Sequence, residues 1–339
     1  MAESRLFKPL KIGNIELKHR IGMAPLTRLR ATEDRVPLPL MKEYYSQRAS
    51  VPGTLLIGEG TPPGGGWPNA PGIWREDQIV AWRTITDEVH RKGSFIFCQI
   101  FAMGPAANAE IAEKEGGHVV PRPMTKDDIQ RTVAEFATAA RNAVDAGFDG
   151  VEIHAANGYL LDTFLQDVSN KRTDQYGGSV ANRSRFVDEI VKATVDAVGA
   201  ARVGLRLSPW STFQGMGMAD PVPQFSDVVH RAGRLELAYL HLVESRISGR
   251  AGVRAHRGVG FRAANAQKLV DEEYPDKNIV VVFGRYFISN PDLVYRIQKG
   301  LELSAYNRDT FYTNLAAGYV DYQFSPEYLA GASPQVGLA

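Results

Sequence analysis

"GVEIHAANGYLLDTFL" (residues 150–165) changes character halfway along. It starts as an apolar run of strand length and ends as a helix. At the changeover sit His154, Asn157 and Tyr159, three polar side chains crowding one strand-to-helix junction. What this junction means for the fold depends on whether the same unit recurs.

It does recur. "RIGMAPLT" (20–27) precedes "LPLMKEYYSQRAS", and "GTLLIGEG" (53–60) precedes "REDQIVAWRTITDEVHRKG" after a Gly/Pro loop. "SFIFCQIF" (94–101) precedes "TKDDIQRTVAEFATAARNAVDAG", and the opening strand precedes "ANRSRFVDEIVKATVDAVG". "RVGLRLS" (202–208) leads to "PVPQFSDVVHRAGRLE", then "AYLHLV" (238–243); "NIVVVFGR" (278–285) leads to "NPDLVYRIQKG". Apolar strands alternating with helices mark a parallel sheet, either a closed (β/α)8 barrel or a doubly wound open sheet. Thr27, Glu59, Gln99, His154, Arg206, Glu244 and Arg285 decide between them. All lie at or just beyond the C-terminal ends of their runs, as the groups around a barrel mouth do. The reading is an α/β fold, a (β/α)8 TIM barrel, with residues 1–339 as one domain.

One segment departs from the pattern. Between 243 and 278 a barrel needs a helix, a seventh strand and a further helix. The last is placed in "RAANAQKLVDEEY" (262–274). Upstream there is only "ESRISGRAGVRAHRGVGF" (244–261), rich in Arg and Gly. The seventh-strand region is therefore expected to be shortened or irregular, with a very short strand near "RGVGF".

Composition narrows the function. Lys+Arg 39 against Asp+Glu 38 gives a net charge of +1, which advertises neither nucleic acid nor an anionic membrane. Cys98 is the only cysteine, so no internal disulfide or multi-cysteine metal site forms, and a reducing compartment is expected. No signal peptide, bilayer-length apolar run or H-E-x-x-H pattern is present. The expectation is a cytoplasmic protein with no membrane, nucleic-acid or metal partner. Nothing in the sequence speaks to oligomeric state.

The strand ends carry the chemistry. His154 and Asn157 can offer two N–H donors to one oxygen, polarising a carbonyl or holding an enolate-like anion. Tyr159 can supply a proton, since a phenol of pKa about 10 stays protonated at neutral pH. The plainer alternative is that His154 and Asn157 tie the loop backbone. Thr27, Gln99 and Arg206 form the set a flavin ring wants: a donor, an amide for its pyrimidine edge and a cation for its reduced anion. Arg206 could instead pair with Glu59 or Glu152. In "FGRYFISNPDL" (283–293), Gly284 admits an anion, Arg285 can fork onto phosphate oxygens, and a helix is expected near Pro291. The alternative for Arg285 is a carboxylate partner that closes the barrel. Arg246, Arg250, Arg254, Arg257 and Arg262 could meet a phosphorylated ligand or form a solvated loop. No G-x-G-x-x-G follows a strand, so a Rossmann cofactor domain is not expected.

The chain resembles the old yellow enzyme family, particularly its fungal members. The resemblance rests on "LFKPLKIGNIELKHRIGMAPLTRLRA", "YYSQRAS", "HAANGYLLDTFLQDVSNKRTDQYGGSVANRSRF", "GLRLSPW" and "FGRYFISNPDLVYRIQKGLELSAYNRDTFY". It implies an FMN-containing barrel that takes hydride from NADPH and reduces the C=C bond of a small enone. By motif position, Pro25, Thr27, Gly60, Gln99 and Arg206 match residues around the flavin ring. Gly260, Gly284 and Arg285 match the phosphate site, with Phe311 and Tyr312 beside the cofactor. His154 and Asn157 match the carbonyl-binding pair, Tyr159 the proton donor and Trp67 the substrate pocket. Three places depart from the family. Phe101 stands where a tryptophan is usual, with Pro105 soon after. The loop over 105–121 is shorter, and so is 244–261, where "GVGF" replaces an apolar "AGGF". The favoured reading is a working ene-reductase. The resemblance also admits an isomerase or cyclase of secondary metabolism with weak or lost FMN binding, or a non-catalytic barrel.

Overall fold

The computed structural model describes residues 4–106, 122–244, 247–248, 251–252 and 263–332. Seven parallel strands build the central sheet: β3 (Ile21–Met23), β4 (Leu55–Ile57), β5 (Phe95–Ile100), β6 (Gly150–Ala155), β7 (Val203–Leu207), β8 (Tyr239–Leu242) and β11 (Val281–Phe283). Their order is β11-β3-β4-β5-β6-β7-β8. The last strand in sequence thus returns beside the first, which a rolled-up sheet allows and a doubly wound one, with its switch point, does not. The fold is the expected (β/α)8 barrel type.

β1 (Leu10–Ile12) and β2 (Ile15–Leu17) precede the barrel as an antiparallel hairpin that the sequence reading did not anticipate. Gly13 turns it at φ +51°, where a Cβ would sit 1.9 Å from the Ala201 carbonyl oxygen. The hairpin buries Leu10, Ile12, Ile15 and Leu17 against Leu55, Ile57 and Phe97, separately from the main core. Leu56, Ile96 and Cys98, on the opposite face of the same strands, join the main core. Period-two alternation therefore sends one set of side chains to the barrel interior and the other to the surrounding helices.

Those helices are α1 (Pro39–Arg48), α2 (Glu76–Arg91), α3 (Lys126–Asp145), α5 (Val180–Val198) and α6 (Val222–Gly233), with the short α4 (Leu160–Leu165) following β6. α2 buries Trp82, Ile85 and Val89 at helical spacing. Truncating Trp82 to Ala would cost roughly 3–5 kcal/mol. α3 starts on a capping box, in which Thr125 Oγ1 accepts the Asp128 N–H and Asp128 accepts the Thr125 N–H.

In the interval between β8 and β11, Ile247–Ser248 (β9) and Ala251–Gly252 (β10) pair with each other. Among the described residues no strand fills the seventh barrel position. The expected strand near "RGVGF", together with Gly260 and the five arginines of 246–262, lies outside the described residues. The helix expected over 262–274 is α7 (Ala263–Lys268), which runs on into a π-turn over Leu269–Glu273. The helix expected near Pro291 is found, preceded by a shorter one that the sequence reading did not anticipate. The helix after β11 starts at Arg285 itself, as α8 (Arg285–Ser289), and Asn290 breaks it before α9 (Leu293–Lys299). Pro291 therefore stands between two short helices and just before the second, as expected. Among the described residues, no helix is long and apolar enough to cross a membrane.

Candidate active site

Strand register brings the polar residues together. Gln99 pairs with Glu152 across β5 and β6, His154 with Arg206 across β6 and β7, and Arg206 with His241 across β7 and β8. Because Val151, Ile153 and Ala155 face the helix-packed core, alternation turns Glu152 and His154 the other way, into the barrel.

His154 is buried, and the Ala156 N–H donates to its Nδ1 at 3.2 Å. An imidazole nitrogen that accepts carries no proton, so Nε2 bears the hydrogen and acts as the donor. Burial, reinforced by the Arg206 and His241 charges, holds the ring well below the usual histidine pKa. His154 is therefore a neutral donor at physiological pH. Asn157 sits three residues on at φ +59°, with its backbone N–H on Ser208 Oγ at 2.7 Å. Its side-chain amide makes no hydrogen bond among the described residues. The backbone of this junction is tied by Ser208 and Nδ1, so the donor groups themselves are not spent on the loop.

Tyr159, at the N-cap of α4, stands edge-on to His154 with ring centroids 5.1 Å apart. Phe101 meets Tyr159 at 5.3 Å, and Trp67 meets Tyr159 at 6.1 Å and Phe101 at 5.9 Å. The four rings thus wall one apolar recess beside the donor pair. A Cβ on Gly60 would lie 3.0 Å from the Phe101 ring, so only glycine leaves that approach open.

Beneath these rings lies a chain of buried polar groups. Gln99 Nε2 donates to Glu152 Oε1 at 2.6 Å, and Glu152 Oε2 lies 2.8 Å from His241 Nδ1. Burial works to raise the Glu152 pKa, yet His241, Arg206 and Gln99 together hold it below the ordinary carboxylate value. A carboxylate only accepts, so Gln99 must turn its amide nitrogen to Glu152 and its carbonyl oxygen the other way, toward Gly60. Arg206 makes neither of the ion pairs considered for it. It lies close enough to Glu152 to feel its charge, but it has no hydrogen bond or ion pair among the described residues, and its Nε is buried without a partner. A cation so placed is incomplete without a ligand.

The other side of the mouth is built differently. Pro25 and Thr27 follow β3, half-buried. Beyond them Arg28 and Arg30 are fully buried and point at main-chain carbonyls. Arg28 donates to Phe311 at 3.1 Å and Gly318 at 2.8 Å; Arg30 donates to Phe311 and Thr310, each at 2.8 Å, and to Leu315 at 3.0 Å. The two arginines fix the 310–318 segment, placing the Phe311 ring under Arg28 at 5.7 Å and leaving Tyr312 exposed. Glu59 Oε2 accepts the Arg28 and Leu29 N–H groups at 3.0 and 3.3 Å, while Oε1 is buried with no partner among the described residues. Burial pushes the Glu59 carboxyl up to about 7.

Gly284 ends β11 and Arg285 opens α8, the guanidinium 6.0 Å from the Tyr306 ring. Arg285 makes no ion pair among the described residues, so the carboxylate partner considered for it is not found there. Sequence reasoning missed Glu152 and His241 as a linked pair, and it missed Ser208, Asp162, Arg28 and Arg30. The signal was present for the first two, since each is a charged or titratable residue inside an otherwise apolar run.

The NADH:flavin oxidoreductase / NADH oxidase family matches residues 5–304 of this chain. A chanoclavine-I aldehyde reductase of Penicillium roqueforti is 49% identical, over 96% of this chain and 98% of its own. A probable inactive dehydrogenase of Claviceps fusiformis is 46% identical, over 97% of each. An NADP-dependent oxidoreductase of Aspergillus flavus is 47% identical, over 96% of this chain and 97% of its own. In three dimensions, the old yellow enzyme of a Pichia species superposes with a TM-score of 0.87 at 37% identity, covering 96% of this chain and 95% of that one. With a barrel of this order and donors, rings and a waiting cation at one mouth, the chain belongs to the NADH:flavin oxidoreductase / NADH oxidase family and is an oxidoreductase of old yellow enzyme type.

Proposed function

We propose that the protein is an NADPH-dependent ene-reductase that uses FMN and acts on the C=C bond of a small α,β-unsaturated carbonyl compound. The observation that carries this is the pairing of a neutral Nε2–H donor on His154 with an Arg206 whose buried Nε has no protein partner among the described residues. The residues fit a flavin. Arg206 would meet its electron-rich ring, Gln99 its pyrimidine edge, and Pro25, Thr27 and Gly60 its remaining contacts. Gly284 and Arg285, with Gly260, would hold the phosphate, and Phe311 and Tyr312 would lie beside the ring. FMN, when bound, supplies the hydride that NADPH provides and that the β-carbon of the substrate receives.

The chain's own groups do the rest. His154 Nε2–H and the Asn157 amide hold the carbonyl oxygen and stabilise the negative charge that grows on it. Tyr159 gives a proton to the α-carbon. Trp67, Phe101 and Tyr159 exclude water and present an apolar wall to the substrate body. Some relatives carry the words "probable inactive", and the isomerase reading keeps the same donors without net reduction. Isotope placement separates the two. With NADPH deuterated at its transferable position, the product should carry that deuterium at the β-carbon and a solvent proton at the α-carbon. An isomerised product with no NADPH consumed would replace this reading with the other.

A further inference from the structure

The donor pair hangs on an unusual turn. Asn157 and Gly158 adopt φ values of +59° and +74°, two left-handed residues in succession. Asparagine tolerates this conformation and glycine favours it. Gly158 has no substitute, because a Cβ there would meet the Gln214 Cβ at 2.6 Å. Successive N–H groups in such turns form a concavity that suits an anion. Here an anion of the protein lies below it. The Asn157 N–H donates to Ser208 Oγ at 2.7 Å and the Gly158 N–H to Asp162 Oδ2 at 2.8 Å. Ser208 in turn donates toward the same Asp162 oxygen at 3.4 Å, and Gln166 Nε2 donates to Oδ1 at 3.0 Å. Asp162, Ser208 and Gln166 are all fully buried. From the solvent side, Gln214 Nε2 donates to the Asn157 carbonyl at 2.7 Å.

This arrangement ties the Asn157 backbone from both sides while its side-chain amide keeps no protein partner among the described residues. A buried carboxylate is costly to keep unless something requires it. What it organises here is the one turn whose two ends are Asn157 and Tyr159.

We infer that Ser208 and Asp162 are positioning residues for the carbonyl clamp, acting through Asn157 by holding the left-handed turn that aims its amide. The inference rests on the ene-reductase reading. A double-mutant cycle tests it, because residues acting through one another are non-additive and independent structural effects add. Cyclohexenone is the probe. Its dissociation constant from the oxidised holoprotein, read from perturbation of the visible band, and its kcat/KM are measured for wild type, Ser208→Ala, Asn157→Ala and the double variant. Ser208→Ala strands the Asn157 N–H and is expected to cost about tenfold in the wild-type background. In the Asn157→Ala background it should cost less than about twofold. Asp162→Asn, which keeps the side-chain volume but can no longer accept on both sides from Gly158, Ser208 and Gln166, is carried through the same cycle in case Ser208→Ala folds poorly, with the same pattern expected. Equal losses in both backgrounds would overturn the inference and leave the ene-reductase reading standing. A wild-type holoprotein that neither binds nor reduces cyclohexenone would overturn both.

Discussion

Arg30 and Arg206 are two arginines flanking one barrel mouth, the first fully buried and the second half-buried with its Nε out of water, and they are partnered in opposite ways. Arg30 donates to the carbonyls of Thr310, Phe311 and Leu315 and lies 4.7 Å from the Tyr319 ring. Arg206 makes no hydrogen bond or ion pair among the described residues. The carboxylates invert the pattern: Glu152 is met by Gln99 and His241 on both oxygens, whereas Glu59 keeps one oxygen buried and unmet. Residue type is the same in each pair, so type alone does not identify a functional cation. What separates a structural clip from a ligand-ready group is whether the protein itself completes its hydrogen bonds.

The largest expected effect lies outside both arginine clusters. Tyr159→Phe should lower enone turnover by about 10²–10⁴-fold while leaving anaerobic flavin reduction by NADPH unchanged. Rapid-mixing measurement of the two half-reactions checks this, and equal loss of both would remove Tyr159 from the proton-transfer step.

Next comes the comparison itself. Arg30→Met should destabilise the protein by about 3–5 kcal/mol in urea unfolding, because it strands buried carbonyls and uncouples the 310–318 segment. Arg206→Met should change the unfolding free energy of the flavin-free protein far less, since no hydrogen bond or ion pair among the described residues is lost with it. Its loss should fall on FMN affinity instead, by about 10–100-fold, the value of one or two charged hydrogen bonds. If both variants lost the same stability, the contrast would collapse.

The most gradual effect is a slope. Glu59 is raised from 4.5 to about 7 in the folded protein, so the native state holds its proton more tightly than the unfolded chain does. Its contribution to stability is therefore greatest below the unfolded pKa and declines as pH rises through about 7, by roughly 3 kcal/mol in all. Glu59→Gln should remove that decline, and stability curves at stepped pH for the two proteins would show their difference closing as pH falls. Parallel curves would mean that Glu59 does not titrate in this window.

Much of this was legible in the sequence because the barrel writes itself as apolar runs, and each run ended at or near the polar residue that now lines the mouth. Seven strands and the His154–Asn157–Tyr159 junction follow from that pattern. Partnering did not follow. Arg30 and Arg206 look alike in a string of letters, and their difference comes from the 310–318 segment folding back across most of the chain to meet one and not the other. Asp162 was hidden for another reason: as a residue in the first turn of a helix it already had an ordinary role. The hairpin over residues 10–17 was missed because each of its strands has only three residues, too few for a period to register.

The most direct measurement is the colour cycle of the purified protein. Titrated with FMN and taken anaerobically through NADPH and then cyclohexenone, it should bind the flavin, bleach on the first addition and regain its yellow band on the second, with one saturated ketone formed per NADPH oxidised. A protein that FMN leaves colourless after desalting, or one that bleaches with NADPH and is not recoloured by any enone, would contradict the account.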